Sequence, residues 1–67
     1  MYGTIKKIVK DKGFGFINPD DGRDEIFFPR SRLAPKIHFE DLREGVEVQF
    51  ETRPGEKGPQ AFNLRLR

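Results

Sequence analysis

Lys12-Gly13-Phe14-Gly15-Phe16-Ile17 decides how this chain folds, because it puts two phenylalanines where a strand cannot bury everything apolar. Side chains alternate between the faces of a strand, so Phe14 and Phe16 share one face, while Ile17 shares the other with the bare backbones of Gly13 and Gly15. Glycine weakens a strand interior and marks a bend or a close approach by another backbone or a ligand. Two arrangements satisfy this pattern. In the first, Phe14 and Phe16 form the core face and Ile17 is incidental. In the second, Ile17 points inward and two large rings point into water beside a lysine, which suits the stacking of unpaired nucleic-acid bases. The rest of the chain has to choose.

The 67 residues are enough for one small domain, 1–67, with a modest core. There is no cysteine, so neither a disulfide nor a thiolate metal site can brace it. No apolar run approaches the length of a signal sequence or a membrane span, and the expectation is a cytoplasmic protein without a membrane partner. A net charge of +2 is mild, and the pI near 9.2 permits an anionic partner. Distribution says more than the total: Lys6, Lys7, Lys10 and Lys12 crowd the segment that leads into the two rings.

Five short strand-like segments separated by turn residues have the spacing of an all-β barrel or sandwich. The first covers about Gly3 to Lys10, with imperfect alternation: Ile5 and Val9 share parity with Lys7, and Ile8 with Lys6 and Lys10. A bulge or strong bend would reconcile this by re-aiming a side chain. The second is Gly13 to Asn18, ended by Pro19 and the Asp21-Gly22 turn signal. The third is Glu25 to Phe28, stopped or confined to an edge by Pro29. An irregular connection from Arg30 to Glu44 has room for one short helical turn. The fourth, Val46 to Glu51, alternates cleanly with Val46, Val48 and Phe50 inward. Pro54, Gly55, Gly58 and Pro59 bracket a turn before the last strand, about Gln60 to Leu66, where Phe62, Leu64 and Leu66 share a face. Neither a repeat nor a long amphipathic helix is present.

The core of a five-strand barrel needs one inward stripe per strand. Ile5 with Val9, Ile17, Ile26 with Phe28, Val46 with Val48 and Phe50, and Leu64 supply it without Phe14, Phe16 or Phe27. Those three rings then lie together on the outer face of the adjacent second and third strands, and a contiguous exposed aromatic patch marks a binding site. This count favours the second arrangement.

These residues resemble the cold-shock domain family over essentially the whole chain. Gly3-Thr4-Ile5-Lys6 is similar to its opening strand, Lys12 to Ile17 to its first ribonucleoprotein-type motif, and Ile26-Phe27-Phe28 to the start of the second. Ser31, Leu33, Leu42, Glu44-Gly45, Val48, Phe50-Glu51, Gly58-Pro59-Gln60-Ala61 and Asn63 follow in family order. The resemblance implies a five-stranded antiparallel OB-type β-barrel that binds single-stranded RNA and DNA over an aromatic, basic face. It also implies a chaperone role that keeps transcripts unpaired, with low sequence specificity and no catalysis. The chain departs from the pattern at the first-strand Trp-Phe pair, here Lys7-Ile8, and at the His-Phe pair after the second motif, here Pro29-Arg30. Phe62 stands where the family commonly has a small residue and is expected to fill the core.

The expected binding residues are Phe14, Phe16 and Phe27 as the stacking platform and Lys6, Lys7 and Lys12 as phosphate contacts. Arg30 can stack its guanidinium plane on a base. For Phe39, in the long loop among His38, Glu40 and Asp41, loop anchoring competes with base contact. Lys57, in the turn beside Gly58-Pro59, can reach the platform edge, whereas Lys10 reads as solvated.

His38, the single histidine, has no base, nucleophile or metal partner at a useful spacing. Asp20-Asp21-Gly22-Arg23-Asp24-Glu25 lacks the twelve-residue loop and terminal glutamate of a calcium site and reads as a charged hairpin turn. No phosphate-cradling loop or nucleophile–base pair appears, so neither an enzyme nor a small-molecule substrate or cofactor is expected. A competing class is a cold-shock-like barrel whose depleted platform serves another protein or its own dimer. Against it, the expectation is mainly a monomer. Starting at Met1 and closing all five strands, the chain also reads as self-sufficient.

Overall fold

In the computed structural model, which describes residues 1–56 and 58–67, five strands close on themselves. They are β1 (Tyr2–Val9), β2 (Phe14–Pro19), β3 (Ile26–Pro29), β4 (Glu47–Gly55) and β5 (Gly58–Leu66), in the order β1-β2-β3-β5-β4 around the barrel. Closure removes the exposed sheet edges that a small open sheet would present. Four seams are antiparallel and β3 runs parallel to β5. A ring of five strands cannot alternate direction all the way round, so the expected antiparallel barrel has one parallel seam. An isolated Leu33–Leu64 bridge and an Ala34 amide donating to the Leu64 carbonyl at 2.8 Å extend that seam. The connection after β3 holds two 3-10 turns, Arg30–Arg32 and Phe39–Asp41. Among the described residues no helix is long and apolar enough to cross a membrane.

The core consists of Ile5, Ile17, Ile26, Phe28, Phe39, Leu42, Val48, Phe50, Ala61 and Leu64, each 5% exposed or less. Ile17, Ile26, Phe28, Val48, Phe50 and Leu64 sit as the alternation predicts, while Val46 packs against the core from its rim. Other inward assignments change because two strands carry an extra residue.

On β1, Ile5 pairs with Ile17 but Lys7 pairs with Phe16, which leaves Lys6 as the extra residue of a bulge. Beyond it the parity inverts. Ile8, not Val9, packs against the core, and Val9 pairs with Phe14 on the outside. On β5, Gln49 pairs with Arg65 but Glu51 with Phe62, three residues against two. Asn63 takes up the irregularity with φ 53°, a left-handed conformation that asparagine tolerates better than most residues. Ala61 and Leu64 therefore point inward. Phe62 is half-buried outside the core and Leu66 is exposed, which corrects the expectation that Phe62 fills the interior. The β4–β5 ladder also runs further than the turn residues suggest, through Pro54–Pro59 to Gly55–Gly58.

Candidate nucleic-acid interface

Gly13 and Gly15 explain how the opening stretch is built. A Cβ on Gly15 would lie 2.6 Å from the Lys7 carbonyl oxygen and 2.7 Å from the Phe28 ring, so the Phe28 ring occupies the space that a side chain would take. Gly13 has φ +73°, and its carbonyl accepts the Arg30 amide at 2.8 Å. With glycine inward at position 15 and Ile17 fully buried, Phe14 and Phe16 are forced outward. β2 pairs with β3 in the register Phe16–Phe27 and Phe14–Pro29, which brings Phe27 onto the same outer face.

The three rings form one mutually contacting cluster. Phe14 and Phe16 meet edge to face with centroids 5.7 Å apart, Phe14 and Phe27 are 5.4 Å apart, and Phe16 and Phe27 6.0 Å apart. Each ring braces the others and stays half-buried, so a pre-arranged apolar surface is presented at little cost in side-chain ordering. The register extends it into a row across the barrel, Lys7–Phe16–Phe27–Gln60–Arg53. Lys7 is exposed on that row because the Lys6 bulge turned it outward, and Lys12 is exposed in the turn below Phe14.

Other expected contacts are placed differently. Lys6 is exposed but holds Glu25 at 2.8 Å. Arg30 lies with its guanidinium 5.7 Å from the Phe39 ring centre and its Nη2 3.3 Å from Glu40. Phe39 is 5% exposed, with its ring 6.4 Å from that of Phe28. Of the two roles weighed for Phe39, the structure gives it loop anchoring, since the 3-10 turn swings Phe39 and Leu42 together into the barrel end. It is therefore not part of the outer platform. Lys57 lies outside the described residues. The sequence reading missed Gln60 and Arg53, which only the β3–β5 and β4–β5 registers bring into line with the rings.

A closed five-stranded barrel with its aromatic surface on the second and third strands is the architecture of OB-type domains, whose corresponding face takes oligonucleotides and oligosaccharides. Residues 1–66 match the family described as the "Cold-shock" DNA-binding domain, and the chain belongs to that family. It is 44% identical to a cold shock protein of Arthrobacter globiformis over 64 residues, covering 96% of this chain and 94% of that protein. It is 42% identical to the cold shock-like protein CspC of Buchnera aphidicola, covering 92% and 88%. With the cold shock-like protein CspG of Escherichia coli it shares 39%, covering 96% and 90%.

Proposed function

We propose that this protein binds single-stranded nucleic acid, RNA or DNA, by stacking bases on Phe14, Phe16 and Phe27 while Lys7 and Lys12 meet the phosphates. The carrying observation is the cluster of three rings on the outside of a barrel whose core is complete without them. Stacking on an aromatic surface uses the π-face that every base possesses, so sequence preference is weak. An aromatic groove edged by cations suits a chaperone that keeps transcripts unpaired. Lys6 and Arg30 play a secondary part, because Glu25 and Glu40 already hold them. The protein acts as a cytoplasmic monomer and has no catalytic step on this reading.

The test is a titration of labelled single-stranded DNA and RNA at low salt, since without tryptophan the protein lacks the usual fluorescence probe. Saturable binding is expected, and the Phe16→Ala, Phe27→Ala double variant should lose it by a factor of roughly 30 or more, at about 1–3 kcal/mol per stacked base. Unchanged binding by that variant, with the barrel intact, would overturn the proposal. Patch chemical shifts that respond to a protein partner or to self-association, but not to an oligonucleotide, would point instead to an interaction module.

A further inference from the structure

Beyond Phe27 the row Lys7–Phe16–Phe27–Gln60–Arg53 crosses two more strands, about 10 Å at ordinary strand spacing. There it meets an open groove of about 620 Å³ lined by Phe27, Gln60, Pro59, Pro54, Arg53 and Glu56. Arg53 does not hang loose: its guanidinium carbon sits 5.5 Å from the centre of the Phe62 ring. That pairing exists because the β5 irregularity turned Phe62 out of the core and onto the outer face. Phe62 would otherwise be an unexplained half-buried ring on a polar hairpin.

We infer that this groove is a further base-binding station, in which a nucleobase lies between the Phe27 ring and the guanidinium plane of Arg53, with Phe62 positioning that plane. The inference rests on the single-strand reading above. Three features commit it to a base and not to a protein side chain or a lone phosphate. The groove is continuous with the three stacking rings through Phe27 itself. Its cation is a planar one already held over an aromatic ring, within cation–π range, and arginine can offer its plane to a base. Gln60 offers both a donor and an acceptor, so different base edges can be met. The path of the strand is then fixed: across β2 and β3 first, and over the β3–β5 seam onto the β4–β5 hairpin.

Oligothymidylates of increasing length, titrated against the wild type and variants, test this. Strands too short to pass Phe27 should bind Arg53→Ala as they bind wild type. Longer strands should bind it about threefold or more weakly. Arg53→Lys should recover the salt dependence but not the affinity, because the charge returns without the plane. Phe62→Ala should weaken long strands as well, yet add little in the Arg53→Ala background, since the two act as one unit. If Phe62→Ala disturbs the fold, Arg53→Ala and Arg53→Lys still decide. Wild-type behaviour of both Arg53 variants at every length, or an equal loss at every length, would overturn the station. The Phe16→Ala, Phe27→Ala variant run alongside keeps the outcomes apart: binding that depends on those rings but not on Arg53 sinks only the groove. Failure of the wild type to bind any strand sinks the reading beneath it.

Discussion

The Phe28 ring lies directly beneath Gly15, 2.7 Å from where a Cβ would stand. This contact couples the interior to the platform: Phe28 fills the core, and Gly15 lets β2 pass over it with Phe14 and Phe16 facing out. Gly15→Ala should therefore destabilise the barrel, because the new methyl group meets both a ring and the Lys7 carbonyl backbone, and neither is a flexible chain end. Overpacking of this kind costs about 1–3 kcal/mol. For a domain of this size the melting temperature should fall by roughly 10 °C. Thermal unfolding by circular dichroism checks it, and an unchanged midpoint would mean that β2 can lift away from Phe28.

Phe39 should behave as a core residue. Truncating a buried phenylalanine costs about 3–5 kcal/mol, comparable with the whole stability of a domain this small, so Phe39→Ala should be largely unfolded in denaturant titrations. Phe39→Leu keeps most of the volume and should fold, with oligonucleotide affinity close to wild type. A folded Phe39→Leu protein that loses affinity as a missing stacking ring would is the contrary result.

Two of the cations expected at the interface face carboxylates of the protein's own: Lys6 with Glu25 at 2.8 Å and Arg30 with Glu40 at 3.3 Å. All four groups are well exposed, so each pair contributes only about 0–1 kcal/mol to folding. A phosphate must displace the carboxylate to use the cation, however. The Glu25→Gln, Glu40→Gln double variant should melt within a few degrees of wild type and bind single strands several-fold more tightly at low salt. The gain should fade as salt screens the released cations. Equal affinity for variant and wild type would show that phosphates do not approach Lys6 or Arg30.

Much of this was legible in the alternation of side chains. Ile17, Ile26, Phe28, Val48, Phe50 and Leu64 could be counted as a sufficient core, and that count alone turned Phe14, Phe16 and Phe27 outward. The misreadings of parity share one physical origin. A bulge inverts everything beyond it, and its position depends on the partner strand, which a single sequence does not display. Lys6 on β1 exchanged Val9 for Ile8, and the left-handed Asn63 on β5 sent Phe62 outward and Ala61 inward. Phe39 was left between two roles and Leu42 without one for a different reason: a non-periodic loop carries no face to read, so its anchors show only when the barrel end is closed over them. Arg53 could not be placed in the row, because a row is a property of register across four seams.

The strain at Asn63 is itself testable. A β-branched residue with φ near 53° costs about 1–3 kcal/mol, and asparagine also donates its amide to Glu51 at 3.0 Å. Asn63→Val should lose about 2 kcal/mol or more of stability, whereas Asn63→Gly should lose clearly less, since glycine accepts the backbone but forfeits the hydrogen bond. The order of the two midpoints in urea is the measurement. A valine variant at least as stable as the glycine one would show that the β5 irregularity is not held by this conformation.

Lys7 offers the sharpest test of how the proposed platform divides its work between stacking and charge. It stands opposite Phe16, so a ring at this position would extend the aromatic row by one station with Cβ atoms about 5 Å apart. Lys7→Trp removes a cation and adds a stacking surface, and the two changes respond differently to salt. The lost phosphate contact should flatten the dependence of log affinity on log salt by about 0.7, while the added ring contributes about 1–3 kcal/mol that salt barely touches. The variant should therefore exceed wild-type affinity by a modest factor at low salt and by a growing factor as salt rises. Lys7→Gln, which loses the cation and gains nothing, should show the flatter slope with weaker binding throughout low salt. If the ratio of Lys7→Trp to wild-type affinity stays constant across the salt series, Lys7 touches no phosphate and its place beside Phe16 has no electrostatic role.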